Sequence, residues 1–261
     1  MAAPTHRVAR NTGLLTAQVV AVVGIVALWQ WGSSTGAVDG SFFGTPAGVW
    51  HTLTGWAADG TILHQLGSTM ALLAVGLGIG TAVGVGLGLL IGLSDLARAV
   101  LEPFLIFGNG VPRLVLQPFF VVWLGFGFVS RVALVFVVIF VLVAVSVAGA
   151  LAGLDREVVV NARLMGAGRA NLVRHVYLPW LAIDLLANSR SNVGFAFQAA
   201  LVAEFVGGAS GLGYLIVKGQ NLFDVNAIWA ALVIVVVVSI VIDLIIARLQ
   251  SRASRWRPAI G

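Results

Sequence analysis

Six apolar stretches, at about 13–31, 66–93, 100–124, 131–153, 179–205 and 226–247, divide this chain, and each is long enough to cross a bilayer as a helix. No other feature restricts the fold as strongly. In hydrocarbon every backbone N–H and C=O must be bonded within the protein, so an isolated apolar stretch of this length becomes a helix. Hydrophobic residues make up 59% of the chain and charged residues 10%, where a soluble domain carries about a quarter of its residues charged. The expectation is an all-α membrane protein with six transmembrane helices, surrounded by lipid.

Six crossings put both termini on one side, and the cations say which. Arg7, Arg10, Arg98, Arg156, Arg163, Arg169, Arg174, Arg248, Arg252, Arg255 and Arg257 fall on the side of the termini; Arg131 and the one lysine, Lys218, fall opposite, with Arg113 and Arg190 inside spans. By the positive-inside rule the termini are cytoplasmic. The organisation read from this is a cytoplasmic tail at 1–12, one transmembrane domain at 13–249 with an external segment at 32–65 and a cytoplasmic loop at 154–178, and a basic cytoplasmic tail at 250–261. The formal charge of +5 is dispersed at span ends, which marks topology and not a nucleic-acid surface. Arg7 and Arg10 before an apolar run also fit a signal peptide, but the run is long for a signal core, and a retained first span is the reading taken. The chain has no cysteine, which removes disulfides and thiolate metal sites.

Local signals fill in the rest. Thr45 before Pro46 predicts a capped helix within the external segment. His51 and His64 there have no further ligand types beside them and predict no metal site. Gly76, Gly80, Gly84, Gly88 and Gly92 recur at every fourth position of the second span, with Gly78 and Gly86 between them, and predict close helix packing within the subunit or between subunits. Pro112 and Pro118 predict a broken helix in the third span. Arg113 beside that break costs at least about 2.5 kcal/mol if lipid-facing, so it faces protein or a watery path. The fifth span carries Asp184, Asn188, Arg190, Asn192, Gln198 and Glu204, too many polar groups for a lipid face. Arg113, Asn188, Asn192, Gln198 and Glu204 are the candidate translocation-path residues; Glu204 is also read as a gate residue, a partner for Arg113 or an interfacial acid, and Asp184 as a partner for a loop arginine.

Residues 155–179, DREVVVNARLMGAGRANLVRHVYLP, form the one long polar segment between two spans. Glu157 to Met165 is helix-compatible, Gly166 and Gly168 break or turn the chain, and Ala170 to Tyr177 forms a second short helix that Pro179 ends or redirects. Ala162, Gly166, Val176, Leu178 and Pro179 have the spacing A-x3-G-x9-V-x-L-P, which resembles the core of the "EAA" loop of ABC importer permeases. With PRLVLQPFFVVWLGFG at 112–127 and VAEFVGGASGLGYLI at 202–216, the whole chain resembles the nitrate/sulfonate/taurine class of those permeases.

That resemblance implies a type I importer fold with cytoplasmic coupling helices, in the bacterial inner membrane. It implies two permease subunits, here read first as a homodimer with a heterodimer as the alternative, two cytoplasmic ABC ATPases and an external solute-binding protein. ATP and Mg then sit on the partner ATPase, and this chain, a transport subunit and no enzyme, holds no cofactor. Glu157, Asn161, Ala162, Arg163, Gly166, Ala167 and Arg169 are the candidate ATPase-coupling residues. One departure stands out: where the resemblance leads to expect Glu-Ala-Ala, the chain has Val160, Asn161 and Ala162. The solute is left open by the sequence: Arg113 and Arg190 fit a sulfonate, nitrate, bicarbonate or carboxylate, and permeases of this class also serve neutral vitamins and their precursors. An ion-gradient-driven transporter is the alternative, although the halves show no repeat and the spans few acids; a membrane enzyme lacks any nucleophile and base pair.

Overall fold

A computed structural model describes residues 5–254, and among them the regular structure is helical. In chain order the helices are α1 (Thr5–Ser34), α2 (Gly40–Phe43), α3 (Pro46–Ala58), α4 (Thr61–Leu93), α5 (Asp95–Gly110), α6 (Gln117–Leu124), α7 (Phe128–Ala152), α8 (Arg156–Leu164), α9 (Arg169–Leu172), α10 (Leu178–Gly207), α11 (Leu212–Asn221) and α12 (Val225–Ser254). The expected tail at 250–261 begins inside α12, and its part at 255–261, with Arg255 and Arg257, lies outside the described residues, as do the first four residues of the N-terminal tail.

Among the described residues α4, α7, the stretch Arg169–Asn221 and Val225–Arg252 are each long and apolar enough to cross a membrane. The expected first span lies within α1, whose described apolar stretch, Val20–Ser34, falls short of that length, so among the described residues four helices, or five with the bent pair of the third span, meet it where six were expected. The third expected span is no straight rod. It is a pair, α5 followed by a 3-10 turn and α6, bent by 89° between Gly110 and Arg113. The cause is in the sequence: Pro112 lacks an N–H and disfavours helical backbone at Val111, which is extended (φ −75°, ψ 133°), and Pro118 sits in the first turn of α6, where no donor is needed.

The chain forms two compact units, 1–62 with 215–233, and 63–214 with 234–261. In the first, the predicted capped helix is present: Thr45 Oγ1 accepts from Gly48 N at 3.0 Å, and Pro46 opens α3. Asn226 Oδ1 accepts from Thr45 N at 2.8 Å, Trp229 Nε1 donates to Phe43 O at 3.0 Å, and the Trp29 and Trp229 rings lie 5.4 Å apart. A Cβ on Gly48 would lie 2.6 Å from the Asn226 amide, so glycine permits this seat.

In the second unit α7 is the central rod. A Cβ on Gly76, Gly80, Gly84, Gly88 or Gly92 would stand 2.3 to 2.9 Å from atoms of α7, the side chains of Val135, Ile139, Val147 and Leu151 and the carbonyl of Phe140. The glycine ridge is therefore an intrasubunit contact. Gly78 and Gly86, with nothing within 4 Å of the same position, belong to the other face of α4. Across α7, Ala196, Ala199, Ala200 and Ala203 recur at helical spacing on α10 and are fully buried, which brings the two backbones close where van der Waals packing is the main attraction.

Candidate coupling loop and translocation path

The loop at 155–179 is built as helix, corner and helix. Asp155 caps α8, its Oδ1 accepting from Glu157 N at 2.9 Å. At the other end Gly166 N donates to Arg163 O at 2.9 Å and Ala167 N to Ala162 O at 3.0 Å. This pair of bonds is the Schellman motif, and Gly166 occupies its left-handed position with φ +87°. Ala162, Gly166 and Ala167 thus have a physical reason for their spacing: the carbonyl of the first and the amides of the other two close one corner. The side chains it turns outward are apolar, Leu164 being 81% and Met165 87% exposed, with Val158 and Val160 also exposed. Glu157 and Asn161 are exposed on the same helix.

Beyond the corner, α9 passes into a π-helical turn at Val173–Tyr177 and directly into α10. Of the two outcomes expected of Pro179, ending or redirecting the second helix, the first does not occur: the wider turn, in which Leu178 N reaches back to Val173 O, lets the helix run on past the donor that proline lacks. Trp180 Nε1 donates to Ala150 O at 2.9 Å and ties this junction to the end of α7. Arg163 and Arg169, with Ser94 and Tyr177, line a cavity of about 460 Å³ against the α4–α5 corner.

The path candidates separate into three groups. Arg113 and Gln198 line one cavity of about 290 Å³ with Pro112, Val138, Leu142 and Phe195. Arg113 is held there by neutral acceptors, Nη2 donating to Asn109 Oδ1 at 2.9 Å and Nη1 to Val138 O at 3.3 Å. Asn188 belongs to a knot facing α7: its Nδ2 donates to Asp184 Oδ1 at 3.1 Å and to Ser146 Oγ at 3.2 Å, and Ser146 Oγ donates to Asp184 Oδ2 at 2.7 Å. Asp184 therefore pairs with α7 and not with a loop arginine. Asn192, half-buried, follows Asn188 by one turn on α10.

Glu204 lies away from the cavity. It is fully buried, and its Oε2 accepts from Thr69 Oγ1 and Gly213 N, both at 3.0 Å. Thr69 Oγ1 accepts in turn from Leu212 N at 2.9 Å, Gly211 N donates to Gln65 Oε1 at 2.6 Å, and Arg131 Nη1 donates to Ser210 O at 3.0 Å. The glycines of VAEFVGGASGLGYLI are the turn this latch encloses: Gly211 has φ +109°, and a Cβ there would lie 2.0 Å from the Glu204 carboxyl carbon. Arg131, placed by sequence on the side opposite the termini, is 7% exposed and is part of the latch. Arg190 forms an ion pair with Asp243 of α12, which uses its charge outside the cavity. Sequence reasoning passed over Asn109, Ser146, Thr69 and Asp243. Asn109 had a signal, lying one helical turn before Arg113, and Asp243 is the acid of an otherwise apolar span.

Among the described residues no group of three or more His, Cys, Asp or Glu is placed to hold a metal ion. Compared with known proteins, residues 80–255 match the family described as binding-protein-dependent transport system inner membrane component. The chain is 28% identical over 233 residues, 89% of its own length and 84% of the relative's, to the "Putative aliphatic sulfonates transport permease protein SsuC" of Bacillus subtilis (strain 168). It is 24% identical over 198 residues, 76% of its length and 72% of the relative's, to the taurine transport system permease protein TauC of Escherichia coli (strain K12). Its fold is similar to a chain of the MetNI methionine ABC transporter in an inward-facing conformation, with a TM-score of 0.62 at 21% identity, covering 71% of this chain and 92% of that one.

Proposed function

This chain belongs to the binding-protein-dependent transport system inner membrane components, the permease subunits of ABC importers, and we propose that it conducts a small organic oxyanion of the sulfonate kind. The observation that carries the solute class is Arg113, a guanidinium facing a cavity of about 290 Å³ and held by uncharged acceptors, so that its charge is left for a solute. The names of the two sulfonate and taurine relatives support the same class. Gln198 adds a neutral hydrogen-bonding group beside it. The family and these relatives favour an ATP-driven importer over gradient-driven transport.

In this reading both termini face the cytoplasm, an external solute-binding protein delivers the solute, and two ATPases that hold ATP and Mg dock on the 155–179 loops of two copies of this chain. Glu157, Asn161, Ala162, Arg163, Gly166, Ala167 and Arg169 make or shape that contact, and the exposed Leu164 and Met165 fill an apolar groove. ATP closes the ATPase pair, the loops move with it, and the path opens outward; hydrolysis returns it inward. Because the loop runs into α10 without a break, a displacement at Tyr177 reaches Gln198 along one helix of roughly 30 Å, at 1.5 Å per residue. Taking such a two-state path from 1:99 to 99:1 needs about 5.5 kcal/mol of preference, which ATP and the loaded binding protein supply through different affinities for the two states.

The test is a mild-detergent purification with subunit counting by mass spectrometry, followed by uptake of an alkanesulfonate into proteoliposomes. Two ATPases, two copies of this chain and ATP-dependent uptake that Arg113→Ala lowers are expected. A second permease chain would replace the homodimer by a heterodimer. Sulfonate uptake equal in Arg113→Ala and the parent would refute the role given to Arg113.

A further inference from the structure

A second cavity, of about 350 Å³, lies along the same wall as the first. Arg98, Glu102, Ile106 and Asn109 recur at helical spacing on one face of α5 and line it; Val145 and Gly149 of α7 lie opposite. On α7 the two cavities share one stripe, Val138 and Leu142 in the first and Val145, Gly149 and Ala152 in the second, each step three or four residues. Between them stands the hydrogen bond from Arg113 to Asn109, for Arg113 lines the first cavity and Asn109 the second. The stripe ends at Ala152, three residues before Asp155 opens the loop, and Ser94, at the start of α5, lines the cavity beneath that loop. A Cβ on Gly149 would meet nothing within 4 Å, so the space beside it is open. The opposite face of α5 is apolar and carries Phe104 and Phe107.

We propose that this second cavity is the inward half of the translocation path: the solute leaves between α5 and α7 past Asn109, Glu102 and Arg98, and the Arg113–Asn109 hydrogen bond is the partition it crosses. The Glu102 carboxylate and the Arg98 guanidinium on this face of α5 are expensive against lipid and inexpensive against a water-filled exit. Asn109 is then a positioning residue, holding the Arg113 guanidinium across the opening until a solute oxyanion replaces its amide oxygen. The inference rests on the importer reading and on its orientation.

The sequence contains no cysteine, so single cysteines can be introduced into the natural chain. In the assembled importer, reconstituted in proteoliposomes, Glu102→Cys, Ile106→Cys, Phe104→Cys and Phe107→Cys are treated with a membrane-impermeant anionic methanethiosulfonate from the loop side, the labelling rate being read on every assembled variant and uptake compared before and after modification. Thiols react as thiolates, which water favours and hydrocarbon suppresses, so positions 102 and 106 should react at least about tenfold faster than 104 and 107. Modification at 102 or 106 should also block uptake. Gly149→Leu, which fills the open space while favouring helix, should lower uptake about tenfold with the ATPases still bound. Equal labelling on the two faces of α5, or full uptake after modification at 102 and 106, overturns the proposal. Absence of ATP-dependent uptake in the unmodified chain would instead remove the importer reading.

Discussion

Replacing Gly166 by valine tests whether the loop corner is what couples this subunit. Gly166 sits at φ +87°, where a side chain costs about 1–2 kcal/mol and a β-branched one more. Moving it out of that region also breaks the bonds from Gly166 N to Arg163 O and from Ala167 N to Ala162 O, each worth about 0.5–1.5 kcal/mol. The cheaper of these two routes sets the loss, about 2 kcal/mol for valine, or roughly 30-fold in the equilibrium constant for the ordered corner. A docking surface present in only a fraction of molecules binds its partner more weakly by that fraction, so ATPase activity stimulated by the loaded binding protein should fall at least about tenfold. Nothing lies within 4 Å of a Cβ at this position, so steric exclusion plays no part and the backbone argument stands alone. The assay is a series: asparagine, which tolerates the left-handed region, should stay near the parent, alanine should lie between, and valine should be lowest, with insertion and thermal stability of the membrane helices unchanged. Equal stimulated ATPase activity for glycine and valine would refute the reasoning.

On α4, Gly84→Leu should lower the thermal midpoint sharply in detergent, since its Cβ would lie 2.8 Å from Phe140 O, whereas Gly86→Leu, with nothing within 4 Å, should leave that midpoint within a degree or two of the parent. Glu204→Ala removes two hydrogen bonds and leaves Gly213 N without its acceptor in a buried site, while the Thr69 hydroxyl keeps Gln65 O; a loss of about 1–3 kcal/mol in stability, with solute preference intact among surviving molecules, is expected, and a changed preference would move Glu204 into the path. Val160→Glu places a carboxylate among exposed Val158, Leu164 and Met165; weaker retention of the ATPase in pull-down is expected if those apolar side chains make the contact, and stronger retention would show that the acid missing from Glu-Ala-Ala is the better ligand.

The sequence displayed its spans and its loop plainly because both are written in local terms, apolar length in one case and the spacing of Ala162, Gly166 and Pro179 in the other. Gly166 as a turn and Thr45 as a cap were legible for the same reason. What the sequence hid depends on partners distant along the chain. Glu204 reads as a gate residue, a partner for Arg113 or an interfacial acid, and Arg131 as a topology charge, until Thr69, 135 residues from Glu204, and Ser210, 79 from Arg131, are brought to them. Arg190 and Arg113 look alike in sequence, each a cation inside a span, and only the fold separates them by giving Asp243 to one and a cavity to the other.

The same contrast explains why one charge is available and the other is not. Both arginines face the cost of leaving water, and each is compensated, but in different coin: Arg190 by an opposite charge, Arg113 by an amide oxygen and a backbone carbonyl. An ion pair leaves little field for a third group, because the carboxylate cancels most of the guanidinium's charge at the distances a solute would occupy. Neutral dipoles satisfy hydrogen bonds while leaving the net charge in place. A permease that must hold an anion briefly and release it is better served by the second arrangement, since the solute exchanges with a weak acceptor such as Asn109 and not with a competing carboxylate. The position of Arg113 at the α5–α6 break follows from this, for the 89° bend turns its side chain to Val138 O on α7 and keeps it off lipid.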